Sequence, residues 1–205
     1  PKEIERELAS VGARALVVGP AGTASADRID RSALPVLEFV IYSEGHGSED
    51  TIALDDLLAA VPTPIVDRDP GDLAVLMFTS GTAGSPKAAM LSHGNLIANI
   101  DQVISLREDG PDPTDVSFAV LPMFHIFGLN VVLGSALRAG ATVLLVERFD
   151  PSSAIEAMEK HHVTVLSGAP TMWAAWAAMP GLTPESFGSV KVATSGAARL
   201  DPFVS

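Results

Sequence analysis

The sequence predicts an α/β protein of layered, largely parallel sheets flanked by helices, and three observations predict it. Short apolar runs alternate with helix-patterned segments almost from end to end. The 17 glycines and 15 prolines fall between those runs rather than in low-complexity tracts. At 205 residues and 47% hydrophobic composition, the chain is long enough to bury a real core in one or two domains.

In chain order, KEIERELASVG places Ile4, Leu8 and Val11 on one helical face, and the strand-like run ARALVV follows, closed by Gly19-Pro20. PVLEFVIY is a second strand-like run, ending near Ser43. A helix is expected around residues 53–60, and VPTPIVDRDPGD, with its prolines and charges, reads as an exposed connection. A boundary there separates a first α/β portion, residues 1–70, from a second, residues 71–205. LAVLMFT and AAMLS read as strands on either side of SGTAGSPK, and HGNLIANIDQVISL as a helix with Leu96, Ile100, Val103 and Ile104 facing inward.

The alternation continues with VSFAVLP (strand), HIFGLNVVLGSALRAG (helix), ATVLLVE (strand), SSAIEAMEKHH (helix), VTVLSG (strand), PTMWAAWAAM (helix) and SVKVATSG (strand). Asp150 followed by Pro151 supplies ordinary helix-start chemistry. Met172, Trp173, Trp176 and Met179 recur at helical spacing and read as core. His161 and His162, at a helix C-terminus, read as partners of the helix dipole rather than as ligands, and no metal site is assigned.

Twenty-five acidic against thirteen basic residues give a net charge of −12, which argues against a nucleic acid or an anionic membrane as partner. A nucleotide remains compatible, because backbone N–H groups, one lysine and a divalent cation can supply a local positive field. The absence of cysteine excludes disulfides, a thiol nucleophile and thiolate metal sites, and suits a reducing compartment. The first 14 residues carry no apolar signal core and no apolar run reaches the ~18 residues of an integral membrane segment, so a cytoplasmic location is expected.

The segment FTSGTAGSPK carries the chemistry. Two glycines let the backbone turn and approach a ligand, four Ser/Thr hydroxyls donate to phosphate oxygens, and Lys87 adds charge. It is not a Walker A loop, which needs Gly immediately before Lys and a helix after it. Here Pro86 precedes Lys87, offers no N–H and disfavours helix at Ser85, while a strand-like run follows. A flap between two strands is the expectation, against the plainer reading of a Gly/Ser-rich turn with an exposed lysine.

LAVLMFTSGTAGSPKAAMLSHGNL resembles the signature YTSGTTGxPKGxxxTHxN of the adenylate-forming superfamily, which includes acyl-CoA synthetases, luciferases and the adenylation domains of peptide synthetases. Thr79, Ser80, Gly81, Thr82, Gly84 and Lys87 match it; Phe78, Ala83, Ala88 and Ser92 depart from it. LPMFHIFGL resembles the family segment whose His or aromatic residue gates the acyl and thiol pocket, which points to His125. VATSGAARL resembles the loop along the adenine, which makes Ser195, Gly196, Ala197 and Ala198 nucleotide contacts. Arg148 reads as a solvated surface charge; some relatives carry a basic residue there that meets a coenzyme A phosphate, which makes it a further candidate.

The resemblance implies an ATP-dependent acyl-CoA ligase acting on a carboxylic acid, fatty by the form of LPMFHIFG, with ATP, Mg²⁺ and coenzyme A as its other small molecules. Lys87 and His125 become the catalytic candidates, in a setting of fatty acid and lipid metabolism. A carrier-protein-loading adenylation domain and a non-catalytic binding module are the alternatives. The resemblance also places these residues in the middle of the family's large N-terminal domain. The Mg²⁺-holding Glu, the ribose-binding Asp and the small C-terminal domain with its Lys are expected beyond them, so the piece alone is expected to be inactive. Exposed sheet edges in such a piece favour a homodimer.

Overall fold

The computed structural model describes residues 1–45, 50–79, 87–106 and 112–202. They form an α/β protein in two compact units, Pro1–Arg68 with Phe78–Ala89, and Asp69–Met77 with Met90–Ser205. No helix among the described residues is long and apolar enough to cross a membrane.

The first unit opens with α1 (Lys2–Val11), whose first turn carries Glu3 and Glu5, favourable at the positive end of the helix dipole. Gly12 ends it in the left-handed region at φ 60°, its N–H returning to the carbonyls of Leu8 and Ala9. Strands β1 (Ala15–Val18) and β2 (Phe39–Tyr42) pair in parallel, with Ala15 opposite Phe39. β2 begins later than the apolar run suggests, because the Leu37 N–H bonds to the Leu34 carbonyl in a turn at 3.0 Å. Val18, Leu34, Leu37, Val40 and Tyr42 form a small core. The Tyr42 hydroxyl donates to Asp27 at 2.6 Å, and that bond, then burial, holds its pKa above the ordinary tyrosine value. A short α2 (Thr23–Ala26) and a two-residue β3 (Ile52–Ala53), parallel to β2, carry no sequence signal. α3 (Leu54–Leu58) follows within the predicted span.

β4 (Leu73–Thr79) and β5 (Lys87–Ser92) are hydrogen-bonded neighbours. Residues 80–86 are too few for the crossover a parallel pair requires, so the two run antiparallel. α4 (His93–Ser105) starts with a capping box: Ser92 Oγ accepts from the Asn95 N–H, and Asn95 Oδ1 from the Ser92 N–H. Leu96, Ile100, Val103 and Ile104 are half-buried, as the periodicity requires.

The second unit is built on β6 (Val116–Ala119), β7 (Thr142–Leu145), β8 (Val165–Gly168) and β9 (Val192–Ser195), all parallel, in the order β7-β6-β8-β9. Side chains alternate across it. Phe118 and Leu166 are fully buried on one face with Ile155 and Met158 of the next helix, α6 (Pro151–His161). Met172 and Trp176 of the helix after β8 (Pro170–Ala177) complete that core. Trp176 meets Phe149, Trp173 and Phe187 edge-on at 5.1, 5.4 and 5.6 Å, and its indole N–H donates to the Pro151 carbonyl at 3.0 Å. The tryptophan stripe is therefore core, as expected.

The segment read as one α-helix is instead a π-helical stretch, Phe127–Gly134, continuing into α5 (Ser135–Ala139). Glycines let it sit close to its neighbours: a Cβ at Gly128 would collide with the Pro122 carbonyl oxygen, and one at Gly134 meets Ile100 Cδ1 at 2.8 Å. Buried Asn130 donates to Asn99 Oδ1 at 2.8 Å and to the Leu96 carbonyl at 3.2 Å, fixing α4 against it.

At the amino ends of the strands lies Asp115, 1% exposed. It accepts from the Thr164 hydroxyl at 2.8 Å and Lys191 Nζ at 3.2 Å through Oδ1, and from the Asp112 N–H at 3.1 Å through Oδ2. Burial pushes this carboxyl up, but the bonds from Thr164, Asp112 and Lys191 outweigh it and hold it below the usual aspartate range. Asp115→Asn is expected to cost about 2 kcal/mol of stability at neutral pH, the scale of a buried hydrogen bond to a charge. Because the folded pKa lies below the unfolded one, this contribution is present above about pH 4 and is lost as pH falls through the folded value. Urea midpoints of parent and variant should therefore converge on acidification; a gap unchanged between neutral and acidic pH contradicts the assignment.

Candidate functional site

Parallel sheets gather ligand-binding loops at the carboxyl ends of their strands, in the crevice where the strand order reverses. In the second unit the chain passes from β6 outward to β7 and then back across β6 to β8, so the reversal falls between β6 and β8. The segments leaving these strands at the carboxyl edge are Val120–Ile126 after β6 and Ala169 after β8, with Ser195–Ala198 at the end of β9.

His125 lies on the segment leaving β6. Its N–H donates to the Pro122 carbonyl at 3.1 Å, and its carbonyl accepts from the Leu129 N–H at 3.0 Å. Its imidazole Nδ1 accepts from the Phe127 N–H at 3.2 Å. The residue is exposed rather than partly buried, so a core histidine is excluded.

Ser195 ends β9, and Gly196 is held to β8 by a 3.1 Å bond from its N–H to the Gly168 carbonyl. Ala197 has φ 70°, a left-handed conformation costing an L-residue about 1–2 kcal/mol. Such strain gathers at functional turns. A Cβ on Gly196 meets Phe127 Cε1 and Cζ, each at 2.7 Å. Glycine is therefore required if the ring is to stay where it is. This contact brings the His125 segment and the Ser195–Ala198 turn together, a pairing that sequence reasoning missed. The only local signal is Phe127 itself, inside the HIFG string.

Arg148 follows β7 at the same edge; it is exposed and has no carboxylate partner among the described residues. A shallow cleft of about 440 Å³ opens between Ala119–Phe124 and Leu145–Glu147, the stretches leading to His125 and Arg148. Thr79 and Lys87 belong to the first unit and are both exposed. The Thr79 hydroxyl donates to the Lys87 carbonyl at 3.3 Å. Ser80, Gly81, Thr82 and Gly84 lie outside the described residues.

Beneath the edge, a cavity of about 260 Å³ separates the second face of the sheet from α4 and the π-helical stretch. Its apolar wall includes Val103, Ile104, Val131 and Val132, and its sheet wall presents Ser117, Ser167 and Thr194. From the level of Ser167 down to Asp115 it spans four residues of strand, about 13 Å.

Gly196→Ala is expected to cost about 1–2 kcal/mol of stability by forcing the Phe127 ring aside. In a Phe127→Ala background the added methyl should cost less, giving a coupling of about 1 kcal/mol or more in a double-mutant cycle. Denaturant unfolding of the four proteins measures it, and strict additivity contradicts the contact.

Residues 1–204 match the family model described as AMP-binding enzyme. The 4-coumarate--CoA ligase 3 of Oryza sativa subsp. japonica is 31% identical over 207 residues, covering 98% of this chain and 36% of the relative. The long-chain-fatty-acid--CoA ligase of Bacillus subtilis (strain 168) is 33% identical over 129 residues, covering 63% of this chain and 23% of the relative. Among solved structures, ATP-bound MatB from Rhodopseudomonas palustris superimposes with a TM-score of 0.82 at 29% identity, over 99% of this chain and 39% of that one. The anthranilate CoA ligase AuaEII, in complex with anthranoyl-AMP, shares the fold with a TM-score of 0.87 at 24% identity, over all of this chain and 40% of that one. The chain thus spans little more than a third of the length of the 4-coumarate relative. The Gly-rich segment, the α/β fold and these matches agree: the chain belongs to the AMP-binding enzyme family.

Proposed function

We propose that this chain supplies nucleotide- and acyl-binding elements of an ATP-dependent acid–thiol ligase. A carboxylate oxygen attacks the α-phosphorus of ATP, the bond to the β-phosphate oxygen breaks, and pyrophosphate leaves. The thiol of coenzyme A then attacks the acyl carbonyl, loses its proton, and AMP departs as the acid–phosphate bond gives way to a thioester. The observation that carries this reading is the packing of the His125 segment against the Ser195–Ala198 turn at the switch-point edge, through Phe127 and Gly196. The CoA ligases among the relatives favour coenzyme A over a carrier protein as acceptor.

In this reading Lys87, with Thr79, Ser80, Gly81, Thr82 and Gly84, handles the phosphates, where negative charge develops in the transition state. Ser195, Gly196, Ala197 and Ala198 lie along the adenine, His125 borders the acyl and thiol path, and Arg148 meets a coenzyme A phosphate. The cavity below the strand ends receives the body of a fatty or other apolar acid, and its hydroxyl-bearing sheet wall also accommodates hydroxylated aryl acids. The substrate carboxylate is itself the nucleophile, so no general base is required. Among the described residues no group of three or more His, Asp or Glu side chains converges on an ion site. Mg²⁺ is held largely through substrate phosphates with one or two carboxylates, and no step here is routed through it.

ATP–pyrophosphate exchange with fatty, aryl and amino acids, run on this chain and on a full-length protein containing it, tests the proposal. The full-length protein should exchange with one class of acid, and Lys87→Ala should slow it by about 10²-fold. Absence of exchange with every acid by a folded full-length protein overturns it.

A further inference from the structure

The cavity between the sheet and the π-helical stretch lies within the second unit and has a fixed floor. Its walls are aliphatic, with Val131 and Val132 on one side and Val165 and Val192 on the other, and no aromatic ring is among the described residues that line it. The hydroxyls at its upper rim bond to each other, Thr194 Oγ1 donating to Ser167 Oγ at 2.9 Å. At the bottom lies Asp115, 1% exposed and held by Thr164, Lys191 and the Asp112 N–H. An apolar tail cannot displace those bonds, because a buried carboxylate stripped of its partners is heavily penalised. Ala136, 5% exposed, lines the same cavity near this floor. Its carbonyl accepts from the Ala141 N–H, and the next N–H, of Thr142, donates to the Asp115 carbonyl, each at 2.9 Å.

The depth of the cavity sets a chain length. Four residues of strand, about 13 Å, separate the Ser167 level from Asp115. A carboxylate at the edge starts about one strand residue above Ser167, and a terminal methyl stops about 4 Å short of the Asp115 oxygens, which leaves about 12 Å of extended chain. Alkyl carbons advance about 1.25 Å each when C–C bonds of about 1.5 Å meet at tetrahedral angles, so the depth takes about ten of them. The volume agrees: a dry cavity of about 150 Å³ holds benzene, so about 260 Å³ has room for about ten carbons. We infer that the acyl site of this chain is measured for a straight-chain acid of about ten carbons, with Asp115 as the stop that excludes long-chain acids and Ala136 as the residue that sets the depth above it. This rests on the carboxyl edge being the acyl-adenylate site.

Pyrophosphate exchange by a full-length protein containing this chain, with hexanoate, octanoate, decanoate, dodecanoate, hexadecanoate and a hydroxylated aryl acid, reads the depth. The kcat/KM should peak between octanoate and dodecanoate and fall by about tenfold or more at hexadecanoate, since one methylene too many in an apolar pocket already costs that much. Ala136→Leu fills the cavity just above its floor, so the peak should move to shorter acids and decanoate should lose about tenfold or more. The parent profile decides the inference by itself if that variant does not fold. A peak at hexanoate or hexadecanoate, preference for the aryl acid over every straight-chain acid, or an unchanged profile in folded Ala136→Leu overturns it. Absence of exchange with every acid defeats the ligase reading instead. Methyl NMR of this chain with decanoate then decides the cavity: shifts at Ile104, Val131 and Val132 support the inference, and their absence at saturating decanoate overturns it.

Discussion

The second unit depends on one buried carboxylate. Asp115 precedes β6, Thr164 precedes β8 and Lys191 precedes β9, and the three meet at the Asp115 oxygens. A buried charge is tolerated only when it is paired and hydrogen-bonded, so this cluster forms as a set or not at all. Its geometric consequence is level strand starts: Thr164 also accepts the Val116 N–H at 2.9 Å, tying β6 to β8 before their ladder begins. Parallel strands that start level and have equal lengths end level. The segments that carry His125, Arg148 and Ser195–Ala198 therefore leave the sheet along one edge, and the cluster that levels the strands sits at the other.

The two ends of the sheet thus differ in chemistry. The amino end is closed by charge-assisted bonds that outweigh the upward push of burial on the Asp115 carboxyl. The carboxyl end holds exposed groups, a left-handed alanine and a histidine whose ring is oriented by its own backbone. Between them, one face packs Phe118, Leu166 and Trp176 into a closed core, while the other meets the π-helical stretch across a cavity. That asymmetry follows from the strand residues themselves: Phe118 and Leu166 alternate with Ser117, Val165 and Ser167.

Much of this was legible in the chain. Most long apolar runs became a strand or a helix near the expected place, since period and punctuation are local properties. The family signature was legible because glycine, hydroxyl and lysine residues are concentrated in ten consecutive positions, 78–87. What escaped was either too short or too distant. β3 spans two residues, below any window in which alternation can be counted. Asp115 lies 49 residues from Thr164 and 76 from Lys191, and Phe127 reaches Gly196 only through the sheet topology. The π-helical winding was hidden because Phe127–Gly134 is apolar nearly all round, so no polar face betrays its period.

The central claim is that ligand binds at the carboxyl edge of the β6–β8 crevice and at the lysine-bearing loop. Backbone amide NMR during titration with ATP tests it most directly. The account predicts shift changes concentrated at Thr79 and Lys87, at His125 and Phe127, and along Ser195–Ala198, with the amino-end residues Asp115, Thr164 and Lys191 unmoved. Changes confined to the Asp115 end of the sheet, or none at saturating nucleotide in a folded full-length protein, would contradict it.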